Sequence, residues 1–148
     1  MRGMSEQFRF YYPIQVRYGD LDPQWHVNNA RFLTYLEQAR LAYLIHLGLF
    51  DGHSFLDLGL IVADIHIAYR APIALMEELR VGVKTVRLGN KSLKMAYVIE
   101  NPATGQVKAQ AEVVMVAYDY HRQTSVPLSQ HWRETIAAFE GIPAYAEG

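Results

Sequence analysis

The run GDLDPQWHVNN, residues 19–29, gathers two carboxylates, an imidazole and two side-chain amides just before an apolar stretch. Taken singly, each has a structural explanation. Asp20 and Asp22 suit turns, Asp22-Pro23 is a common turn opening, and Asn28 or Asn29 can cap a helix. His26 can be a satisfied, half-buried histidine. Together they allow chemistry. A helix start offers unpaired backbone N–H groups and the positive end of a dipole, suited to polarising a carbonyl oxygen. A carboxylate a few residues upstream can fold back toward the carbon of that same carbonyl. An acid and N–H donors converging on one carbonyl are the minimal kit for acyl transfer.

Two elements must hold that turn. Before it, FRFYYPIQVRY from Phe8 to Tyr18 is rich in aromatic and β-branched residues and reads as a strand, with Pro13 suiting an edge or a bulge. After it, Phe32, Leu36, Ala39, Tyr43 and Leu47 recur at helical spacing, with Asn28 or Asn29 as N-cap and Gly48 as the stop. The remaining chain supplies cover for this helix. GLIVADIHIAYRAP from Gly59 reads as a strand ending at Pro72, and EELRVGVKTVRLG as another, whose alternation slips between Val83 and Val86 as at a bulge. KSLKMAYVIE sets Leu93, Met95, Tyr97 and Ile99 on one face. Beyond the turn NPATGQ, a long strand alternates Val107, Ala109, Ala111, Val113 and Met115 against Lys108, Gln110 and Glu112. Ser129 opens a short final helix. The plan is α+β: one helix packed across an antiparallel sheet, in one domain spanning 1–148. It leaves a sheet face and an edge uncovered, so self-association is expected.

Composition removes several function classes. The net charge is −1, with 51% hydrophobic and 20% charged residues, so nothing directs the chain to nucleic acid or to anionic membranes. The chain has no cysteine, which excludes disulfides, thiolate catalysis and thiolate metal sites. His26, His46, His53 and His66 lack metal-ligand spacing, so no metal is expected. MRGMSEQFRF has no apolar stretch of signal-peptide length, and no apolar run approaches a membrane span. A cytoplasmic protein is the expectation.

The segment VRYGDLDPQWHVNNARFLTYLEQAR, with the strand and helix order around it, resembles the hotdog-fold acyl-thioesterases, over roughly Phe10 to Pro127. It is most similar to the branch grouped with 4-hydroxybenzoyl-CoA thioesterase, and HVNN also resembles the plant acyl-carrier-protein thioesterases. The resemblance implies a five-stranded antiparallel sheet wrapped around one long central helix, with a short C-terminal helix. It implies hydrolysis of an acyl-CoA, or acyl-carrier-protein, thioester with no cofactor, coenzyme A being part of the substrate. Carried over by position, Asp22 matches the family's carboxylate, acting as nucleophile or general base. Asn29 falls where a backbone N–H at the helix start holds the oxyanion, and His26 matches a histidine that assists catalysis. Asp20 reads as a turn brace, and Glu37 either anchors the helix through Arg40 or a backbone group, or touches substrate. Many relatives have glycine just before the histidine. Here Trp25 stands there and can wall the acyl pocket, while Gln24 replaces an asparagine of the plant-type enzymes. Asn90, Lys91 and Ser92 match a loop near the phosphates of coenzyme A, and Arg122 is a further candidate. The resemblance also implies a homo-oligomer, dimer or tetramer, with sites completed by the partner chain. Two rival readings use the same residues: an acyl-CoA binding or sensing module that does not need Asp22, and a hotdog 3-hydroxyacyl-thioester dehydratase with Asp22 and His26 paired.

Overall fold

A computed structural model describes residues 8–52 and 59–145, and His53 and residues 1–7 lie outside them. The chain forms β1 (Tyr11–Ile14), a 3-10 turn (Tyr18–Asp20), α1 (Asn29–His46), β2 (Leu60–Tyr69), β3 (Leu79–Leu88), β4 (Ser92–Glu100), β5 (Val107–Asp119), β6 (Thr124–Ser125) and α2 (Gln130–Glu140). All pairings are antiparallel, in the order β1-β3-β4-β5-β2, with the two-residue β6 closing onto the end of β5. The α+β plan and the short last helix stand as expected.

The long helix obeys its own sequence signals. The Asn28 side chain accepts from the Ala30 amide at 2.9 Å, and Gly48 follows the last turn with φ +74°. Its inner face buries Phe32, Tyr35, Leu36, Ala39, Tyr43 and Leu44 against the sheet. Along the helix, the contacts step across the strands. Phe32 meets Tyr69 of β2 edge-on at 5.0 Å, Arg40 reaches the Tyr97 hydroxyl of β4, and the Tyr43 hydroxyl meets Thr85 of β3. The first turn of α1 therefore sits over one end of β2. That is where the polar run emerges.

Two expectations need correction. The first strand is only four residues long, because its partner β3 ends at Leu79 opposite Ile14. The chain then leaves the sheet and coils into the 3-10 turn. The alternation of β5 fails at Lys108, which is 4% exposed rather than solvated. On β4, Leu93, Met95, Tyr97 and Ile99 share a buried face as expected, and the other face is buried as well from Met95 to Glu100, with Phe8 beside Gly82 of the neighbouring strand. A Cβ on Gly82 would come within 2.9 Å of both the Phe8 ring and Val98, so glycine there lets the ring lie flat on the strand. Pro13 does sit on an edge strand, and the slip in β3 is a register shift between Thr85 and Arg87. Among the described residues β2 forms the opposite edge, pairing with β5 alone and leaving Val62, Ile65 and Tyr69 exposed.

Candidate active site

Residues 21–27 close into a small loop. Leu21 bridges Val27, the Asp22 amide donates to the His26 carbonyl at 2.9 Å, and the Trp25 amide donates to the Asp22 carbonyl at 3.0 Å. The Asp22 side chain finishes the loop from within: Oδ1 accepts from the Gln24 amide at 2.9 Å and the His26 amide at 3.4 Å. Its other oxygen, Oδ2, accepts no hydrogen bond from the described residues. Asp22 is thus a turn former through one oxygen and a free carboxylate through the other.

The loop is aimed by what surrounds it. Asp20 receives the Arg17 amide at 3.0 Å and the Tyr35 hydroxyl at 2.7 Å on Oδ2, while its carbonyl takes the Asn28 amide at 2.8 Å. It braces the turn, as read. Burial and the Asp20 carboxylate push the Tyr35 hydroxyl well above its ordinary pKa, so it remains a donor to Asp20. At the helix start, Ala30 donates to the Asn28 side chain and Arg31 to the Asn28 carbonyl. The Asn29 amide is left without an acceptor among the described residues. The Tyr69 hydroxyl donates to the Asn29 carbonyl at 3.0 Å and pins this turn to the sheet.

Asp22, Gln24, His26, Asn28, Asn29, Tyr69 and Arg70 line one open recess of about 520 Å³. Asp22, with one carboxylate oxygen free, and Asn29, with its helix-start amide unpaired among the described residues, therefore border a shared space. A reacting carbonyl placed between them would meet an acid at carbon and a donor at oxygen. The His26 ring has no carboxylate partner among the described residues; only its backbone binds Asp22. Among the described residues the Asp22 and His26 side chains do not pair. Glu37 is exposed and does not pair with Arg40, whose guanidinium donates to Tyr97 instead.

Trp25 occupies the left-handed region at φ +65°, a backbone conformation suited to the glycine of many relatives. Its indole is 61% exposed and meets Tyr18 edge-on at 6.1 Å. Relief of left-handed strain is worth ~1–2 kcal/mol. The flexibility that glycine adds to the unfolded chain costs ~0.4–1 kcal/mol, and the lost ring contact a similar amount. The terms nearly cancel. Urea denaturation of Trp25→Gly should give a stability within ~1 kcal/mol of the parent, and a much larger loss would mean that the indole buttresses the loop.

Sequence reasoning missed the support on the far side. The Val27 amide donates to the Ile73 carbonyl at 2.9 Å, and His26 bridges Ala74, so segment 70–78 backs the loop. Buried Lys108 holds that segment, reaching the Pro72 carbonyl at 3.1 Å and Glu77 at 2.7 Å. Asn101 and the Ala74 amide complete the Glu77 carboxylate. Burial raises the Glu77 pKa, but these donors outweigh it and hold the carboxyl below its ordinary value. Its contribution is complete above the ordinary carboxylate value and fades as pH falls through the lowered one. Glu77→Ala should cost about 2 kcal/mol at neutral pH, as for a charged hydrogen bond lost. Chemical denaturation at successively lower pH, below the ordinary carboxylate value, should find the gap between the two proteins narrowing, whereas a constant gap would deny the ion pair its role. No composition signal exposes this pair, because its members lie 31 positions apart on the same chain.

The remaining candidates lie elsewhere. Asn90, Lys91 and Ser92 form the β3–β4 turn beside the end of β5, where the Lys91 carbonyl accepts from Ala117. Arg122 is engaged with Asp119 at 3.0 Å on the β5–β6 turn. Tyr69 pairs with Ala109 and Leu60 with Ala117, so these two points along β5 are separated by roughly 27 Å at ~3.4 Å per residue. Within one chain these residues do not meet Asp22. Among the described residues no three acidic, histidine or cysteine groups gather as a metal site, and no helix is long and apolar enough to cross a membrane.

The sequence profile of the thioesterase-like superfamily matches residues 16–136. The chain is similar to the long-chain acyl-CoA thioesterase FadM of Escherichia coli K12, 34% identical over 123 residues, covering 83% of this chain and 93% of that one. Among solved structures it resembles a thioesterase of Thermus thermophilus complexed with coenzyme A and Zn, with 36% identity and a TM-score of 0.82 over 93% of this chain and 98% of that one. It also resembles the PA5185 protein of Pseudomonas aeruginosa, with 28% identity and a TM-score of 0.77 over 90% and 93%.

Proposed function

The chain belongs to the thioesterase-like superfamily, and we propose that it hydrolyses the thioester of an acyl-CoA to a free acid and a thiol. One observation carries the reading: Asp22, whose Oδ2 accepts no hydrogen bond from the described residues, and Asn29, whose amide has no acceptor among them, border the same recess. FadM, named for long-chain acyl-CoA, and the coenzyme A complex of the Thermus relative support the substrate class. An acyl carrier protein is the second carrier the sequence reading allows.

In this reading the carbonyl oxygen rests on the Asn29 N–H at the positive end of α1, where developing charge is stabilised. Asp22 acts through Oδ2 on the carbonyl carbon. As general base it takes a proton from the attacking water; as nucleophile it forms an acyl-enzyme anhydride that water then opens. Both routes break the C–S bond and deliver a proton to the departing sulfur, a transfer that His26 on the same recess can assist. The groups this chain supplies to the chemistry are a carboxylate, an amide and an imidazole, with water as the co-reactant.

The distance between Asp22 and the candidate phosphate residues favours a homo-oligomer. β2 is an open edge, and pairing with the same edge of a second copy satisfies its outward hydrogen-bonding groups. Antiparallel two-fold pairing would set the Tyr69 end of one strand beside the Leu60 end of the other. The partner's loop at 90–92 and its Arg122 would then approach this chain's Asp22. The experiment is thiol release from short-chain, long-chain and aromatic acyl-CoA esters. With no cysteine in the chain, a thiol reagent meets no background. Binding of the esters without any thiol release would instead favour the sensing module.

A further inference from the structure

Asp22 borders two recesses, not one. The first is the polar recess described above, with Gln24, His26, Asn28, Asn29 and Arg70 on its walls. The second, about 370 Å³, is lined by Tyr18, Gly19, Leu21, Asp22, Pro23 and Trp25. Apart from Asp22 its side chains are apolar or aromatic. Tyr18 is 74% and Trp25 61% exposed, so two large rings stand in water at its mouth. The fold gains little core from them, and the Trp25 ring is held there by a left-handed backbone that disfavours any side chain.

A thioester carbonyl at Asp22 has two substituents to accommodate. One is a polar thiol arm that ends in phosphates, and the other is an acyl group. The recesses on either side of Asp22 differ in the same sense. We propose that the Tyr18–Trp25 recess receives the acyl group while the polar recess receives the coenzyme A arm, so that Tyr18 and Trp25 set acyl preference. This rests on the thioesterase reading, because that reading places the carbonyl at Asp22.

The test uses Trp25 as its own reporter. Trp25 and Trp132 are the two tryptophans, so Trp25 is the sole indole in an Asp22→Asn, Trp132→Phe protein, which also slows turnover. Decanoyl-CoA should shift and saturate the Trp25 emission, whereas free coenzyme A, its binding followed by calorimetry, should leave it unmoved. In steady state with the otherwise unaltered protein, kcat/KM should rise about fourfold per added methylene (~0.8 kcal/mol) until the recess is filled. Tyr18→Ala and Trp25→Gly should each flatten that slope. An equal emission shift with free coenzyme A, no shift with either ligand, or a slope that survives both substitutions would overturn the assignment. Failure of the hydrolase reading looks different: Trp25 responds to decanoyl-CoA, yet the unaltered protein releases no thiol from any ester.

Discussion

Replacing Asp22 with asparagine is expected to lower kcat for acyl-CoA hydrolysis by about 10²-fold or more while leaving fold and ester binding near those of the parent. The geometry explains why this substitution is clean. Oδ1 of Asp22 accepts the Gln24 and His26 amides, and asparagine keeps an Oδ1 in the same place. The loop therefore survives. What changes is the second atom, where a free carboxylate oxygen becomes an amide nitrogen that can neither attack a carbonyl nor accept a proton from water. Asp22→Ala would remove both functions at once and confound loss of chemistry with loss of the turn. A fall in kcat with KM almost unchanged identifies an interaction made on the way to the transition state. A rise in KM alone would assign Asp22 to binding.

The second large effect separates side chain from main chain at Asn29. Asn29→Ala keeps the backbone N–H and should retain most activity. Asn29→Pro removes that N–H and should cost ~2.7–4 kcal/mol of barrier, the penalty for losing an oxyanion donor. Proline is tolerated at the first helical position, where its φ suits the helix and its missing donor has no intrahelical acceptor to lose. The preceding residue is ready for it: Asn28 lies at φ −59° and ψ 137°, extended as a residue before proline must be. Circular dichroism and a denaturation curve should show a folded Asn29→Pro protein with little turnover. Equal activity of the two variants would move the oxyanion to another donor.

The turn was legible because both of its readings are local. An Asp two residues before Gln24 and an Asn at the helix threshold write their hydrogen bonds into adjacent amides, and the helical period that follows fixes where α1 begins. The long helix, the β3 bulge and the last helix follow from patterns of the same short range. What escaped depends on distant chain segments. Lys108 stands at a polar position of an alternating strand, yet Glu77 and the Pro72 carbonyl draw it inside. Arg40 lies in the helix as a charged residue, yet it is buried on the Tyr97 hydroxyl. Asn90, Lys91 and Ser92 match a pattern in sequence, but spacing does not tell which end of a strand a hairpin occupies. The backbone of Trp25 was hidden for a different reason: an indole gives no sign of the positive φ that a glycine there would advertise.

The most direct measurement is thiol release from one saturating long-chain acyl-CoA by the unaltered protein and by Asp22→Asn, side by side, after both are shown to be folded and to bind the ester. Steady turnover is expected from the first, and a rate lower by about 10²-fold or more from the second. Equal rates would show that the free oxygen of Asp22 does not carry the reaction, and the acid would have to be sought elsewhere in the recess or the hydrolytic reading given up.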